Sequence, residues 1–321
     1  MSNAPTRLIA IDWGTTSARA YRLGDGGQVV AQRAAPFGVQ QVRNGAFAEA
    51  LRALLGDWHD LPVPRLACGM VGSRQGWIEA PYRQCPAPVD DLARGLTITP
   101  GGELAIVAGI TCRDAAGVPD VMRGEETQIV GLLDSAPAEA LVIQPGTHSK
   151  WTRAGVPVAG APAIHAFTSF MTGEVFALLR EHSILGRLMG DADGFDGASF
   201  DRGLAHGGRG VAGGDLLHQI FGARTLALFD ELAPAAVADY LSGVLIGAEI
   251  VAGRAWVAAQ AASPPGPGAI WIAGAPDLCN RYARALDHAG VETQVAPADV
   301  AARGLWRLAE GAGLTHPGDR S

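Results

Sequence analysis

The feature that most constrains this chain is a ten-residue segment written twice. Leu8 to Ser17 reads LIAIDWGTTS, and Ala140 to Ser149, 132 residues later, reads ALVIQPGTHS. Aligned without a gap, Ile11 meets Ile143, Gly14 meets Gly146, Thr15 meets Thr147 and Ser17 meets Ser149. Each copy is an apolar run that ends in a glycine–hydroxyl turn and leads into a second strand-like stretch. The run suits a buried strand, and the turn offers backbone N–H groups and hydroxyls to an anion. Two such hairpins facing each other would hold a nucleotide's phosphates from both sides. The copies differ at one informative position, where Asp12 in the first is Gln144 in the second. Only one half then supplies a carboxylate for a metal.

At 321 residues the chain exceeds one average domain. The repeat places two domains at 1–136 and 137–321, with the last helix a candidate to pack back toward the first. A hydrophobic content of 48 % is ample for a large core. The formal net charge of −7 argues against nucleic acid and against anionic membrane surfaces as partners. No apolar stretch approaches the roughly 18 residues of a membrane span, and the N-terminus lacks a charged-then-apolar leader pattern. Cys68, Cys85, Cys112 and Cys279 have neither metal-like spacing nor the density of a disulfide framework. A reduced, cytoplasmic protein is expected, and a homo-oligomer is compatible with the sequence. Of 25 basic residues, Lys150 is the one lysine, directly after the second turn. Where arginine serves everywhere else, this exception points to a need for a compact ammonium.

Along the chain, Ser17 to Leu23 and Gln28 to Ala35 read as strands joined by the turn Gly24-Asp25-Gly26-Gly27. Phe47 to Trp58 has helical spacing, with Phe47, Leu51, Leu54 and Leu55 on one face. Arg65 to Val71 and Glu103 to Ala108 read as strands, and a helix is expected from Asp120 through Met122, Glu125, Ile129 and Leu132. The second half predicts strands at Leu141–Gln144, Lys150–Arg153, 159–167 and 269–273. It predicts helices at Met171–His182, Asp215–Leu228, Ala236–Ala259, Asp277–Ala289 and Ala298–Ala309. This order, occurring twice with mixed sheets, is an α/β chain built by duplication. It is not a doubly wound dinucleotide fold, because hairpins rather than helices follow the first strand. Gly208-x-Gly210-x-x-Gly213 fits a dinucleotide spacing but no strand pattern precedes it, and Ser263 to Gly268 reads as a linker.

The doubled hairpin, Asp12-Trp13-Gly14-Thr15-Thr16 and the late turn Gly274-Ala275-Pro276 together resemble the actin-like ATPase and sugar kinase superfamily. The segments GMVGSRQGW, VMRGEETQIVGLL, QPGTHSKW, FMTGEVFALLREHSILGR and YLSGVLIGAEI are more specific, and with them the chain is similar to the 2-dehydro-3-deoxygalactonokinase family over nearly its whole length. The resemblance implies duplicated actin-like (ribonuclease H-like) lobes with mixed sheets and an interlobe nucleotide cleft. It implies transfer of the ATP γ-phosphoryl group to the 6-hydroxyl of 2-dehydro-3-deoxy-D-galactonate in galactonate catabolism, with Mg2+ as the metal and a small sugar acid as partner.

Carried onto this sequence, the resemblance makes Asp12 the residue that orients the magnesium ion. Gly14, Thr15 and Thr16 would hold the outer phosphates, and Gly146, Thr147 and His148, with Lys150 beside them, would do the same from the other copy. Glu125 and Glu126 sit where related kinases keep an acidic base, at a helix start where paired acids also offset the helix dipole. Ser73, Arg74, Gln75 and Trp77 form the expected substrate loop, Arg74 with a forked donor for the carboxylate and Trp77 as a wall. Gly274, Ala275 and Pro276 would lie against adenine and ribose. Ser242-Gly243 and Gly247-Ala248 put small residues one turn apart on a long helix and are expected to permit close packing at a hinge between the lobes. Two rival readings remain: a phosphohydrolase of the exopolyphosphatase type, whose members carry a similar glycine–glutamate–glutamate segment, and a non-catalytic actin-like filament or sugar-sensing regulator.

Overall fold

The structure, a computed structural model, describes residues 5–133, 135, 139–156, 160–209, 215–260 and 270–315. Most of the glycine loop at 208–213, the linker at 263–268 and the tail beyond Thr315 lie outside the described residues. The chain forms two compact units. The first comprises Met1–Ala140, Thr152–Phe167 and Ala296–Ser321; the second comprises Leu141–Trp151 and Thr168–Val295.

In the first unit, β1 (Leu8–Trp13) is buried almost throughout, as a central strand covered on both faces must be. It pairs antiparallel with β2 (Ala18–Leu23), opposing Asp12 to Arg19, and β2 pairs with β3 (Val29–Ala35). The helix α1 (Phe47–Leu55) buries Phe47, Leu51, Leu54 and Leu55, the face that its spacing predicts. Full burial of one leucine side chain there is worth about 1.5–3 kcal/mol. β4 (Arg65–Cys68) runs parallel to β1 and brings Cys68 opposite Asp12. Short strands follow: β5 (Arg83–Gln84) and β6 (Ala87–Pro88), then α2 (Val89–Arg94), then β7 (Thr97–Ile98), β8 (Ala105–Ile106), β9 (Ile110–Arg113) and β10 (Pro119–Met122). The main sheet has the order β3-β2-β1-β4-β8-β7, and β10-β9-β5 form a second, smaller one.

The helix expected from Asp120 is corrected here. Residues 119–122 pair antiparallel with β9, and α3 (Glu125–Leu132) begins only after Gly124, which has φ +109°. A left-handed residue cannot sit inside a right-handed helix, so Gly124 separates strand from helix.

The chain continues with β11 (Glu139–Gln144), β12 (Ser149–Gly155), β13 (Ala163–Phe170), α4 (Thr172–His182), α5 (Gly197–Gly207), α6 (Leu216–Leu228) and α7 (Val237–Gln260). It closes with β14 (Ile270–Ile272), α8 (Pro276–His288), β15 (Gln294–Val295) and α9 (Val300–Gly311). The strand order β13-β12-β11-β14-β15 repeats β3-β2-β1-β4-β8. The ten-residue repeat therefore occupies the same place, β1–turn–β2 and β11–turn–β12, in two sheets of one topology.

Two helix pairs pack backbone to backbone. Against α5, a Cβ on Gly243 of α7 would lie 2.1 Å from the Phe200 carbonyl oxygen; a Cβ on Gly203 of α5 would lie 2.1 Å from that of Tyr240. The small residues read on α7 thus serve helix packing within the second unit. In the first unit, a Cβ on Gly304 of α9 would lie 1.8 Å from the Thr127 carbonyl oxygen, so α9 holds α3 closely. The sequence reading that no apolar stretch approaches a membrane span also needs correction. The segment Pro234–Gln260 is long and apolar enough by length and composition, with mean hydropathy 1.6, but 72 % of that window is buried inside the protein. It is a core helix.

Candidate active site

In the first unit three backbone segments meet: the end of β1, the loop after β4 and the start of α3. Gly69 has φ +93°, and a Cβ there would lie 2.7 Å from the Trp13 carbonyl oxygen; a Cβ on Gly124 would lie 3.1 Å from the Gly69 Cα. Side chains at these two glycines would force the segments apart. Their approach gathers Asp12, Cys68, Glu125 and Glu126 into one acidic cluster.

Within it, burial pushes the Asp12 carboxyl upward; the Arg19 guanidinium opposes this and Glu125 adds to it. Glu126 is fully buried, and burial first, then Glu125, raises its carboxyl to about 8. Its Oε2 accepts from the Gly124 N–H at 2.6 Å and its Oε1 from the Thr127 hydroxyl at 3.0 Å. Glu125 is partly exposed, and its Oε2 accepts from the Arg123 N–H at 3.0 Å. The Cys68 thiol, 4.0 Å from Asp12, is pushed well up by burial, then by Asp12 and Glu126. The structure thus brings together the three predicted acids and gives them unequal environments. Arg19 and Cys68, which the sequence did not single out, belong to the same cluster.

The first turn is braced from behind. The Gly14 N–H donates to Ser17 at 2.9 Å, while the carbonyls of Gly14 and Thr15 accept from Val39 and Gln40 at 3.1 and 3.2 Å. A Cβ on Gly38 would lie 2.3 Å from the Thr15 carbonyl. With their carbonyls turned toward residues 38–40, Gly14 and Thr15 are held in place, and Thr16 is exposed. Nothing in the sequence marked Gly38.

The substrate loop is mixed in character. Ser73 is 8 % exposed, and its hydroxyl is buried without a hydrogen-bond partner. Arg74 is exposed over 85 % of its side chain and meets only Glu79, at 3.5 Å; Gln75 is exposed. Trp77 stacks on Phe47 with centroids 6.1 Å apart, and Phe47 in turn packs against Trp13. Trp77 is thereby fixed against the core beneath the first turn.

In the second unit a Cβ on Gly173, at the start of α4, would lie 2.3 Å from the Gly146 carbonyl oxygen. The Glu174 N–H donates to the Thr147 carbonyl at 2.9 Å, and the Glu174 carboxylate meets His148 Nε2. Beneath the turn, Glu249 is 3 % exposed and accepts from the Ser149 hydroxyl at 2.6 Å, the Trp151 indole at 2.8 Å and the Tyr282 hydroxyl. This buried carboxylate ties β12 to α7 and α8, and burial followed by Glu249 drives the Tyr282 hydroxyl well above its ordinary range. Lys150 is 4 % exposed, its ammonium 3.5 Å from the His148 carbonyl.

Beside Gly146 opens a cavity of about 640 Å³, lined among others by Gly173, Ser242, Leu278, Arg281 and Tyr282. Arg281 pairs with Asp239 at 2.7 Å and lies 4.3 Å over the Phe195 ring. The cavity lies against α8 itself. Gly274, Ala275 and Pro276, just before α8, are exposed, with Gly274 close to the Pro145 carbonyl.

Repeated sheet order, with a glycine–hydroxyl turn at the same place in each sheet and acids beside one of them, defines an actin-like α/β fold. The ADPNP-bound activator of 2-hydroxyisocaproyl-CoA dehydratase from Clostridium difficile shares this fold at 12 % identity, with a TM-score of 0.50 and 95 % and 96 % of the two chains covered. Residues 12–308 match the family model described as 2-keto-3-deoxy-galactonokinase, and the chain belongs to that family. It is 34 % identical to the 2-dehydro-3-deoxygalactonokinase of Escherichia coli K12 over 92 % of this chain and 94 % of that protein. A crystal structure from Sinorhizobium meliloti, described provisionally as a 2-dehydro-3-deoxygalactonokinase, superposes with a TM-score of 0.82 at 33 % identity, covering 95 % of this chain and 98 % of that one. Membership makes the protein an ATP-dependent carbohydrate kinase. Neither rival reading, the phosphohydrolase or the non-catalytic actin-like protein, is favoured by these matches.

Proposed function

We propose that the protein transfers the γ-phosphoryl group of ATP to the 6-hydroxyl of 2-dehydro-3-deoxy-D-galactonate, in the cytoplasm, as a step of galactonate catabolism. The observation that carries the mechanism is the unequal pair at the start of α3. Glu126, with its carboxyl near 8, keeps its proton at neutral pH and is a donor. Glu125 is the partner left to accept one. In this reading Glu125 takes the proton of the 6-hydroxyl as its oxygen bonds to the γ-phosphorus, and the bond to ADP breaks.

Thr15 and Thr16, and likewise Gly146, Thr147 and His148, would donate to phosphate oxygens, while Gly14, whose N–H is held by Ser17, would let the backbone come close. The buried Lys150 ammonium adds a fixed positive charge near the second turn. The cavity beside Gly146, lined by Arg281 but not by Gly274, Ala275 or Pro276, is of a size to take the adenosine. Among the described residues no group of three or more His, Cys, Asp or Glu side chains could hold a metal. That suits magnesium, which keeps most of its ligands as water and phosphate oxygen and needs one or two carboxylates. Asp12 would hold it, and when bound the ion would neutralise phosphate charge. In this reading Ser73 and Gln75 would meet the sugar acid, with Trp77 as a wall and the exposed Arg74 beside them.

The test is ATP consumption with a panel of keto-deoxy sugar acids, followed by phosphorus NMR of the product. Phosphorylation at C6, dependent on the sugar acid, is expected. Phosphate release at the same rate without any sugar acid would contradict the reading.

A further inference from the structure

Arg123 is an arginine buried with most of its hydrogen-bonding capacity unused. It is 8 % exposed, and its guanidinium lies 4.4 Å over the Tyr82 ring. Nη2 donates to the Ala80 carbonyl at 2.7 Å, while Nε and Nη1 are buried without a partner among the described residues. Among the described residues no carboxylate forms an ion pair with it; Glu125 accepts from its backbone N–H instead. Nη1 faces the substrate loop, since a Cβ on Gly72 would lie 3.1 Å from it. The next residue is Ser73, whose hydroxyl is also buried and unpartnered. The Ala80 N–H donates to the Gly72 carbonyl at 2.9 Å, so Gly72 and Ala80, the two neighbours of Arg123, are themselves hydrogen-bonded.

A buried guanidinium is costly unless an anion answers it, and each unsatisfied donor adds to that cost. An unpartnered guanidinium nitrogen and, one residue from Gly72, an unpartnered hydroxyl are donors that a carboxylate could accept from. Arg74, the arginine that the sequence offered for this role, is mostly in water. There an arginine holds an anion only weakly.

We propose that Arg123 anchors the substrate's carboxylate, with the Ser73 hydroxyl donating beside it. This deepens, and rests on, the sugar-acid reading above. It also places the carboxylate anchor two residues before the proposed base Glu125, so the one segment 123–125 would set both ends of the substrate.

The experiment compares kcat/KM for the keto-deoxy sugar acid with that for its C1 amide, in the wild type and in R123K, R123Q, S73A and R74A. The wild type should prefer the acid by roughly 10²-fold, the scale of a hydrogen-bonded charge pair. In R123Q the preference should fall to a few-fold with KM for ATP within about twofold, and R123K should recover part of it. A structural role would lower both substrates equally. R123Q that keeps the wild-type preference, or R74A that abolishes it while R123K does not, overturns the proposal. Should the Arg123 variants not fold, a crystal structure of the wild type with the sugar acid and ADP decides. A carboxylate oxygen within about 3.2 Å of Arg123 Nη1 or Nε supports the anchor, and a carboxylate held elsewhere overturns it. A wild type that phosphorylates neither compound contradicts the kinase reading itself, a different result from an active wild type whose R123Q form keeps its preference.

Discussion

Glu126 is a carboxyl folded into a place where its charge is disfavoured, and this has a measurable signature. Its folded value of about 8 lies above the ordinary 4.5. Between these values the unfolded chain has released a proton that the folded chain still holds, so stability falls as pH rises from about 4.5 to about 8 and levels off above. The limiting slope from this one group is about 1.4 kcal/mol per pH unit. Glu126→Gln, which imitates the neutral acid, should remove that share of the slope; urea titrations from pH 5 to 9 measure it. A variant whose pH slope equals that of the wild type would show Glu126 to be charged in the folded state. At this scale the sequence marked Asp12, Glu125 and Glu126 but not how they differ. The letters Glu125-Glu126 carry no burial, and burial is what sets the two carboxyls apart. Arg123 was legible only as one letter of RGEETQ, because nothing in a lone sequence says that an arginine lies 8 % exposed.

Most elements with many periods were readable, although the eleven-residue α5 (Gly197–Gly207) was missed, and most of the shortest strands were not. α1, α4, α6, α7, α8 and α9 each run nine residues or longer, and their apolar spacing placed them within a few residues of the observed ends. The strands β5, β6 and β7 have two residues each, too few for an alternation to register, while β8 falls inside the strand read at Glu103 to Ala108. The strand β10 was absorbed into a helix because Met122, Glu125, Ile129 and Leu132 fall at helical intervals, and only Gly124 breaks the pattern. The bracing of the first turn by residues 38–40 was invisible, since it depends on contact between segments distant in sequence. Gly38→Ala tests it. The new Cβ would lie 2.3 Å from the Thr15 carbonyl, so the turn must shift. KM for ATP should rise by about tenfold and stability should fall by about 1–3 kcal/mol, the range for an overpacked site. Unchanged ATP kinetics and stability would remove Gly38 from the account.

At the scale of the whole molecule, the repeat at Leu8 and Ala140 foretold what the sheets display, one strand order used twice with a glycine turn at the same place in each. The two copies have since been given different surroundings. The first turn adjoins Asp12, Glu125 and Glu126, while the second adjoins Lys150, the His148–Glu174 pair and the cavity lined by Arg281. In the proposed function, acid–base chemistry falls to the first unit, which alone has the acid at Asp12, and adenosine recognition to the second. The claim on which this rests is that Glu125 accepts the substrate proton. Rapid-quench measurement of phosphoryl transfer in Glu125→Gln, with ADP affinity measured by calorimetry on the same protein, tests it most directly. The account predicts transfer slowed by at least about 10²-fold with ADP affinity within about twofold of wild type. Transfer at the wild-type rate would contradict it.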